Sequence, residues 1–174
     1  MTLPHYDVLV VGAGIHGAGV AQAAAARGYT VLILEQREIG GGTSSRSSKL
    51  IHGGLRYLET AQLSLVYESL HERALLLKNA PALVRLTPFY IPVYKSSRRG
   101  PRILRIGLSL YALLGGLGKQ VRFRTLPKCD WENLDGLETK NLRAVYQYWD
   151  AQTDDRVLTQ AVMDSALSLG AELR

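Results

Sequence analysis

At 174 residues the chain has the length of about one domain, and 47% hydrophobic with 21% charged residues excludes disordered and fibrous classes. The net charge of +6 points to an anionic partner, whether a phosphate-bearing ligand, nucleic acid or a lipid surface. A single cysteine, Cys129, leaves no intrachain disulfide to form and fits a reducing compartment.

The N-terminal segment MTLPHYDVLVVGAG has no basic region before its apolar run and no small-residue cleavage site, so no signal peptide is expected. Val8 to Val11 is an apolar run ending in glycine, which predicts a buried parallel strand. The Ala-rich IHGAGVAQAAAARG predicts a helix stopped at Gly28. Val31 to Leu34 predicts a second buried strand ending on Glu35, completing a βαβ unit with a right-handed crossover. Arg37 to Gly54 reads as a polar Gly/Ser-rich loop. Leu63, Val66, Leu70, Ala74 and Leu77 then recur at helical spacing and predict an amphipathic helix from Leu58 to Asn79.

Thr87 to Tyr94 reads as extended, and Pro88 and Pro92 place it at an edge or outside a central sheet. A basic, turn-rich loop from Lys95 to Arg102 precedes a predicted helix over Ile103 to Leu114. Gly115 to Asn141 reads as irregular and Ala144 to Asp150 as a short strand. TDDRVLTQAVMDSALSLG predicts a helix capped by Thr153 or Asp154 and stopped at Gly170. Ala171 to Arg174 reads as the start of a further strand. The longest apolar segment, Ile103 to Gly118, has 16 residues and contains Arg105. That is short of the roughly 20 apolar residues a membrane span needs.

Gly12, Gly14 and Gly17 form G-x-G-x-x-G directly after the first strand. The first permits the tight turn, the second lets backbone approach a pyrophosphate, and the third lets helix pack closely on strand. The helix start offers free N–H groups and partial positive charge to that phosphate. Glu35 follows Gly14 by 21 residues, where its carboxylate can accept from both ribose hydroxyls of an adenosine half. Strand, helix, second strand and acid in register point to a dinucleotide site rather than a ligand-free Ala/Gly-rich helix. The acid argues against a 2′-phosphate, hence against NADP. The βαβ unit itself leaves NAD and FAD open.

The loop after the second strand carries Thr43, Ser44, Ser45, Ser47, Ser48, Lys49 and the pair Gly53-Gly54. Hydroxyls and a lysine could bind pyrophosphate oxygens, and paired glycines could press against a flat ring. On composition alone a solvated surface loop is the stronger reading. Three stretches change that weighing. GAGIHGAGVAQAAAARG, TSSRSSKLIHGGLRYLE and YWDAQTDDRVL resemble the FAD-dependent glycerol-3-phosphate dehydrogenases, with the likeness running from about Asp7 to the last residue.

The resemblance implies an α/β fold. Its core is a Rossmann-like FAD-binding βαβ domain of the glutathione-reductase/D-amino-acid-oxidase type, followed by the start of a substrate domain. It implies oxidation of sn-glycerol 3-phosphate to dihydroxyacetone phosphate, with electrons passing through FAD to a quinone. It also implies that Gly12, Gly14, Gly17 and Glu35 hold the ADP half of FAD. Thr43, Ser44, Ser48, Lys49, Leu50 and His52 would line the pyrophosphate, ribityl and isoalloxazine portions, with Gly53 and Gly54 against the flavin. Arg56 and Tyr57 would face the substrate, Arg56 pairing its phosphate. Read from the residues alone, an arginine at the head of an amphipathic helix such as Arg56 is more often a solvated or carboxylate-paired side chain. His52 is a candidate general base; a hydrogen bond to flavin or backbone is the preferred role.

Family chains are several hundred residues long, so the resemblance implies a truncated N-terminal part, inactive alone or a non-catalytic nucleotide-binding fragment. A flavin oxidase acting on an amine or 2-hydroxy acid is the alternative enzyme. The expected division is 1–80 for the βαβ unit, flavin loop and following helix. Residues 81–145 would begin the substrate or membrane-facing region, and 146–174 would return to the FAD domain.

Lys95, Arg98, Arg99, Arg102 and Arg105 precede and enter the apolar segment, and Lys119, Arg122, Arg124 and Lys128 follow it. This basic region, 95–128, reads either as a helix of the substrate domain with solvated flanks, which is favoured, or as a peripheral contact with a membrane. The family likeness implies a cytoplasmic protein at the inner face of the cell membrane. No nucleic-acid module is present. His5, His16, His71 and Cys129 lack metal-ligand spacing, so no metal is expected. Homo-oligomerisation is left open.

Overall fold

A computed structural model describes residues 4–174, with the side chains of Ser44 and Ser45 outside the described residues. The chain divides into two compact units, one running to Lys49 and resuming over Thr153–Arg174, the other Leu50–Gln152. The helix after the Ser-rich loop therefore belongs with the second unit, not with the βαβ unit as drawn at residue 80.

The first unit contains β1 (Val8–Val11), α1 (Ile15–Ala25), β2 (Val31–Leu34), α4 (Asp155–Ser168) and β7 (Glu172–Leu173). The three strands form a parallel sheet in the order β1-β2-β7, with Val8 opposite Val31 and Leu32 opposite Glu172. Glycine ends α1 at Gly28 and α4 at Gly170, both at positive φ. Asp154, one of the two expected caps, accepts the N–H groups of Arg156 and Val157 at 3.0 and 3.3 Å. Alanines let the helices approach: Ala18, Ala21, Ala25 and Ala166 share one core with Val10, Val31, Ile33 and Met163.

Among the described residues, only one sheet face is covered. The apolar runs predict strands buried on both faces, yet Leu9 is 59% and Val11 80% exposed, with Leu34 at 38%. Alternation explains the split, because Val10, Val31 and Ile33 point to the helices and their neighbours in sequence point the other way.

The second unit contains β3 (Leu50–Ile51), α2 (Leu63–Asn79), β4 (Val84–Tyr94), α3 (Pro101–Leu114), β5 (Phe123–Thr125) and most of β6 (Leu142–Thr153). The long β6 organises the sheet, bonding β3 and β4 on its path and β5 besides. β3 and β5 pair with it antiparallel, Ile51 opposite Ala151 and Arg124 opposite Gln147. β4 sits at the end of the path, which suits Pro88 and Pro92. The helix predicted from Leu58 starts instead at Leu63. Leu55–Thr60 is a 3-10 turn, and Ala61 at φ 54 breaks the chain direction.

A charged pair lies inside this unit. Arg73 of α2 is 0% and Asp150 of β6 4% exposed. Arg73 Nη1 donates to Asp150 Oδ1 at 2.5 Å and to the Tyr111 hydroxyl at 3.1 Å, while Nη2 donates to the Gln120 carbonyl at 3.0 Å. The same Asp150 oxygen accepts the Gly53 N–H at 3.0 Å. One guanidinium thus ties α2, α3, β6 and the segment after β3 together.

Removing one member strands the other charge in the core. Arg73→Met is expected to lower unfolding stability by roughly 3–5 kcal/mol in a urea titration. Replacing both, as Arg73→Met with Asp150→Leu, should cost clearly less. Equal losses for the single and double variants would show that packing, not charge, holds this site.

Candidate functional site

In the first unit the site is built where β1 meets α1. Gly12 turns at φ +98, and a Cβ on Gly17 would fall 1.9 Å from the Gly12 carbonyl oxygen, so the helix lies against the turn without room for a side chain. Gly14, the residue capping α1, has nothing within 4 Å of a Cβ and faces open space. No side chain caps α1, and its first turn carries no acid. Its leading N–H groups and dipole therefore remain available to an anion.

A cavity of about 670 Å³ opens there, lined by Gly12, Gly14, Glu35, Thr43, Ser47 and Asp155 among others. Glu35 does more than await a ribose: it accepts the Ala13 N–H at 2.7 Å and the Arg37 N–H at 2.9 Å. The Ala13 bond, then the Arg37 bond, holds its carboxyl below the usual carboxylate range. The Gln36 amide adds to the same effect, and with about four acceptor positions the carboxylate keeps capacity for a further hydroxyl donor.

The Ser-rich loop is not a free surface loop. The turn Thr43–Arg46 is a 3-10 helix, and Gly40 donates to the Ala13 carbonyl at 3.0 Å. Thr43 lines the cavity. The Ser44 side chain lies outside the described residues, and Ser48 is exposed. Ser47 donates to the Asp155 carboxylate and accepts the Lys49 N–H at 3.0 Å. Lys49, at φ 61, does not line the cavity; its ammonium pairs with Asp154 at 3.2 Å. That hydrogen bond, followed by those from the α4 amides, keeps the Asp154 carboxyl low. Asp154 and Asp155 thus moor the loop to the start of α4.

In the second unit Leu50 pairs with Gln152 of β6, His52 is exposed and Gly53 is buried. A Cβ on Gly53 would fall 2.0 Å from the Tyr111 hydroxyl, so packing requires glycine here independently of any ligand. Gly54 turns at φ +71 into the following 3-10 turn. Arg56 is exposed and lines a cavity of about 580 Å³ together with Leu55, Glu59, Arg99, Ile103 and Tyr148. Arg99 is ion-paired with Glu59. Tyr57 is not among the lining residues; its half-buried ring packs on the Val66, Leu70 and Tyr111 cluster. Burial, reinforced by Asp150, raises the Tyr148 hydroxyl above its ordinary value.

Ser47, Arg73, Arg99, Tyr148, Asp150 and Asp155 carry these arrangements without having been singled out as site residues. Arg73 had a signal: it lies seven residues after Val66 and three after Leu70, on the apolar stripe of α2. Asp150 and Asp155 lie in YWDAQTDDRVL, the third family-like stretch.

A glycine-shaped helix start, an acid just after β2 and a loop moored beside them define a dinucleotide-binding fold. The model of the FAD dependent oxidoreductase family matches residues 7–174, and the chain belongs to that family. It is 40% identical over 169 residues to the aerobic glycerol-3-phosphate dehydrogenase of Staphylococcus haemolyticus and 38% to that of Staphylococcus aureus (strain USA300). These matches cover 97% of this chain and 30% of each relative, so the chain spans under a third of their length. The glycerol-3-phosphate dehydrogenase from Bacillus halodurans complexed with FAD superposes with a TM-score of 0.66 at 28% identity, covering 100% of this chain and 27% of that one. L-alpha-glycerophosphate oxidase from Mycoplasma pneumoniae with FAD bound shares the fold at a TM-score of 0.74 and 16% identity, over 99% of this chain and 45% of that one.

FAD is thus the cofactor of the family, and the residues present fit its ADP half. Open space beside Gly14 and uncapped amides of α1 would suit a pyrophosphate, and the remaining acceptor capacity of Glu35 would suit a ribose hydroxyl.

The two inner glycines separate fold from binding. Gly17→Ala is expected to lower stability by about 1–3 kcal/mol or more through overpacking. Gly14→Ala should leave the melting temperature near that of the parent but weaken FAD retention, read by fluorescence of released flavin. The lowered carboxyls have a pH consequence as well. Their stabilisation is present above the ordinary carboxylate range and is lost as pH falls through the lowered values. Melting temperature should therefore drop below about pH 4, and Glu35→Gln should flatten that drop.

Proposed function

We propose that the chain serves in FAD-dependent oxidation of sn-glycerol 3-phosphate to dihydroxyacetone phosphate, with electrons passed on to a quinone. The observation that carries this reading is the 40% identity to aerobic glycerol-3-phosphate dehydrogenases across 97% of the chain. Hydride acceptance from C2 of the substrate is the chemistry the flavin supplies when bound.

The protein's share is binding and orientation. Gly12, Gly14, Gly17 and Glu35 hold the ADP half. Thr43, Ser44, Ser48 and Lys49 serve the pyrophosphate and ribityl portions, and Leu50, His52, Gly53 and Gly54 the ring. Arg56 pairs the substrate phosphate, a role supported by its exposed guanidinium in a cavity that also holds Arg99. Tyr57 has less support as a substrate contact, since its ring is used in packing. His52 is exposed and free to hydrogen-bond a ligand, whether or not it also takes the C2 hydroxyl proton.

Peripheral membrane contact through 95–128 is supported by the outer face of α3. Ile103, Ile106 and Leu113 are exposed there beside Arg102 and Arg105, while Leu108, Tyr111 and Ala112 face the core. Among the described residues, no helix is long and apolar enough to cross a membrane.

Purified protein should carry yellow flavin and reduce a dye on addition of glycerol 3-phosphate. Folded protein without flavin would sink the reading for this chain. Arg56→Ala should raise KM for glycerol 3-phosphate by about 10–100-fold, the loss expected of one charged hydrogen-bonding partner. An equal loss with an unphosphorylated alcohol would instead favour a flavin oxidase of amines or 2-hydroxy acids.

A further inference from the structure

The cavity of about 580 Å³ that Arg56 lines belongs wholly to the second unit. Leu55, Leu58, Ile91, Leu104 and Leu108 make its walls largely apolar. Three charges share that space. Arg56 is exposed and has no hydrogen-bond or ion-pair partner among the described residues. Arg99 enters from the bend before α3 and is ion-paired with Glu59 of the 3-10 turn. Both members of the pair line the cavity, with side chains 34% and 46% exposed. Arg56 and Arg99 against Glu59 leave one positive charge in excess.

Gly107 keeps the space open. It sits inside α3, on the face where Leu104 and Leu108 also line the cavity at helical spacing. Glycine weakens a helix interior, and packing does not ask for it here, since a Cβ would meet nothing within 4 Å. That sets Gly107 apart from Gly53, where the core leaves no room.

We propose that this cavity is a phosphate-monoester site in which Arg99 exchanges Glu59 for the ligand: the incoming dianion takes both guanidiniums, and the carboxylate turns out to water. The inference rests on the reading of Arg56 as a phosphate partner. It deepens that reading by making Arg99 a specificity-determining residue and Glu59 its built-in competitor. A monoanionic carboxylate balances Arg56 alone and leaves the Arg99–Glu59 pair closed. A phosphate dianion balances two guanidiniums, whose planar forks match its oxygens. Release of Glu59 costs little, because an ion pair this exposed is weakened by solvent. The new contact gains strength from the apolar walls around it. The pair thus favours phosphate esters over 2-hydroxy acids.

The test titrates the whole chain without flavin at about pH 8, where a phosphate monoester is a dianion. Dissociation constants are read from the rise of the melting midpoint with ligand. Inorganic phosphate and glycerol 3-phosphate should both raise it, lactate much less, and glycerol not at all. Arg99→Gln should weaken both phosphates by about tenfold or more, the scale of one charge-assisted bond. Glu59→Gln should act in the opposite direction, tightening them by about two- to fivefold, the worth of an exposed ion pair. Gly107→Leu should abolish binding by filling the cavity, while the midpoint without ligand does not fall, because leucine favours helix over glycine. If Arg99→Gln and Glu59→Gln move the affinity in the same direction, the pair is a structural staple and the proposal is overturned. Phosphate affinities that all three variants leave unchanged overturn it too, since the anion then sits elsewhere, as at the start of α1. A parent chain whose midpoint phosphate does not raise has the same consequence. Failure of the oxidation reading shows separately, as missing flavin or missing dye reduction, and leaves these titrations untouched.

Discussion

A buried arginine paired to a buried aspartate is costly to assemble, and the second unit is arranged so that the cost is met by geometry. Arg73 enters from α2, Asp150 from β6, and the hydroxyl of Tyr111 from α3, while the Gln120 carbonyl closes the far side. Neither charge is left without an opposite charge or a directed hydrogen bond, which is the condition under which such a pair survives in a core. Apolar residues in its place could be as stable. What the pair adds is direction: helices α2 and α3 and strand β6 must meet in one register for the bonds to close. The segment Leu50–Gly54 inherits that register through a single N–H.

Much of the first unit was legible because its signals are local. The strands at Val8–Val11 and Val31–Leu34 fall on the apolar runs, α1 ends at its glycine, and Asp154 caps α4. The second unit was harder to read because several elements exist only through pairing. Leu50–Ile51 and Phe123–Thr125 are two and three residues long, with no period to detect, and become strands by bonding to β6. β6 is itself longer than the Ala144–Asp150 run suggests, since its ends are supported by partners distant in sequence. The start of α2 was misplaced because apolar residues at Leu55 and Leu58 fit the helical spacing while Ala61 turns left-handed.

The candidate site divides in the same way. The glycine motif and Glu35 announce themselves by spacing. The partners of the Ser-rich loop do not, since Asp154 and Asp155 lie more than a hundred residues from Ser47 and Lys49. Arg56 was visible only through family likeness, and Arg99 reaches the same cavity from the bend before α3. A residue such as Gly53 shows how two reasons can coincide at one position. The family likeness assigns it to a flat ring, and the core assigns it to the space beside Tyr111.

The bare face of the parallel sheet has a thermal consequence. Leu9 and Val11 are largely, and Leu34 partly, in contact with water in the folded unit. Apolar surface already wet before unfolding adds nothing to the heat-capacity rise, which comes only from newly exposed area, at about 0.45 cal/K/mol per Å². The dome of stability against temperature is therefore flatter for this unit than for a sheet clad on both sides. Its stability varies less as the temperature moves away from the optimum.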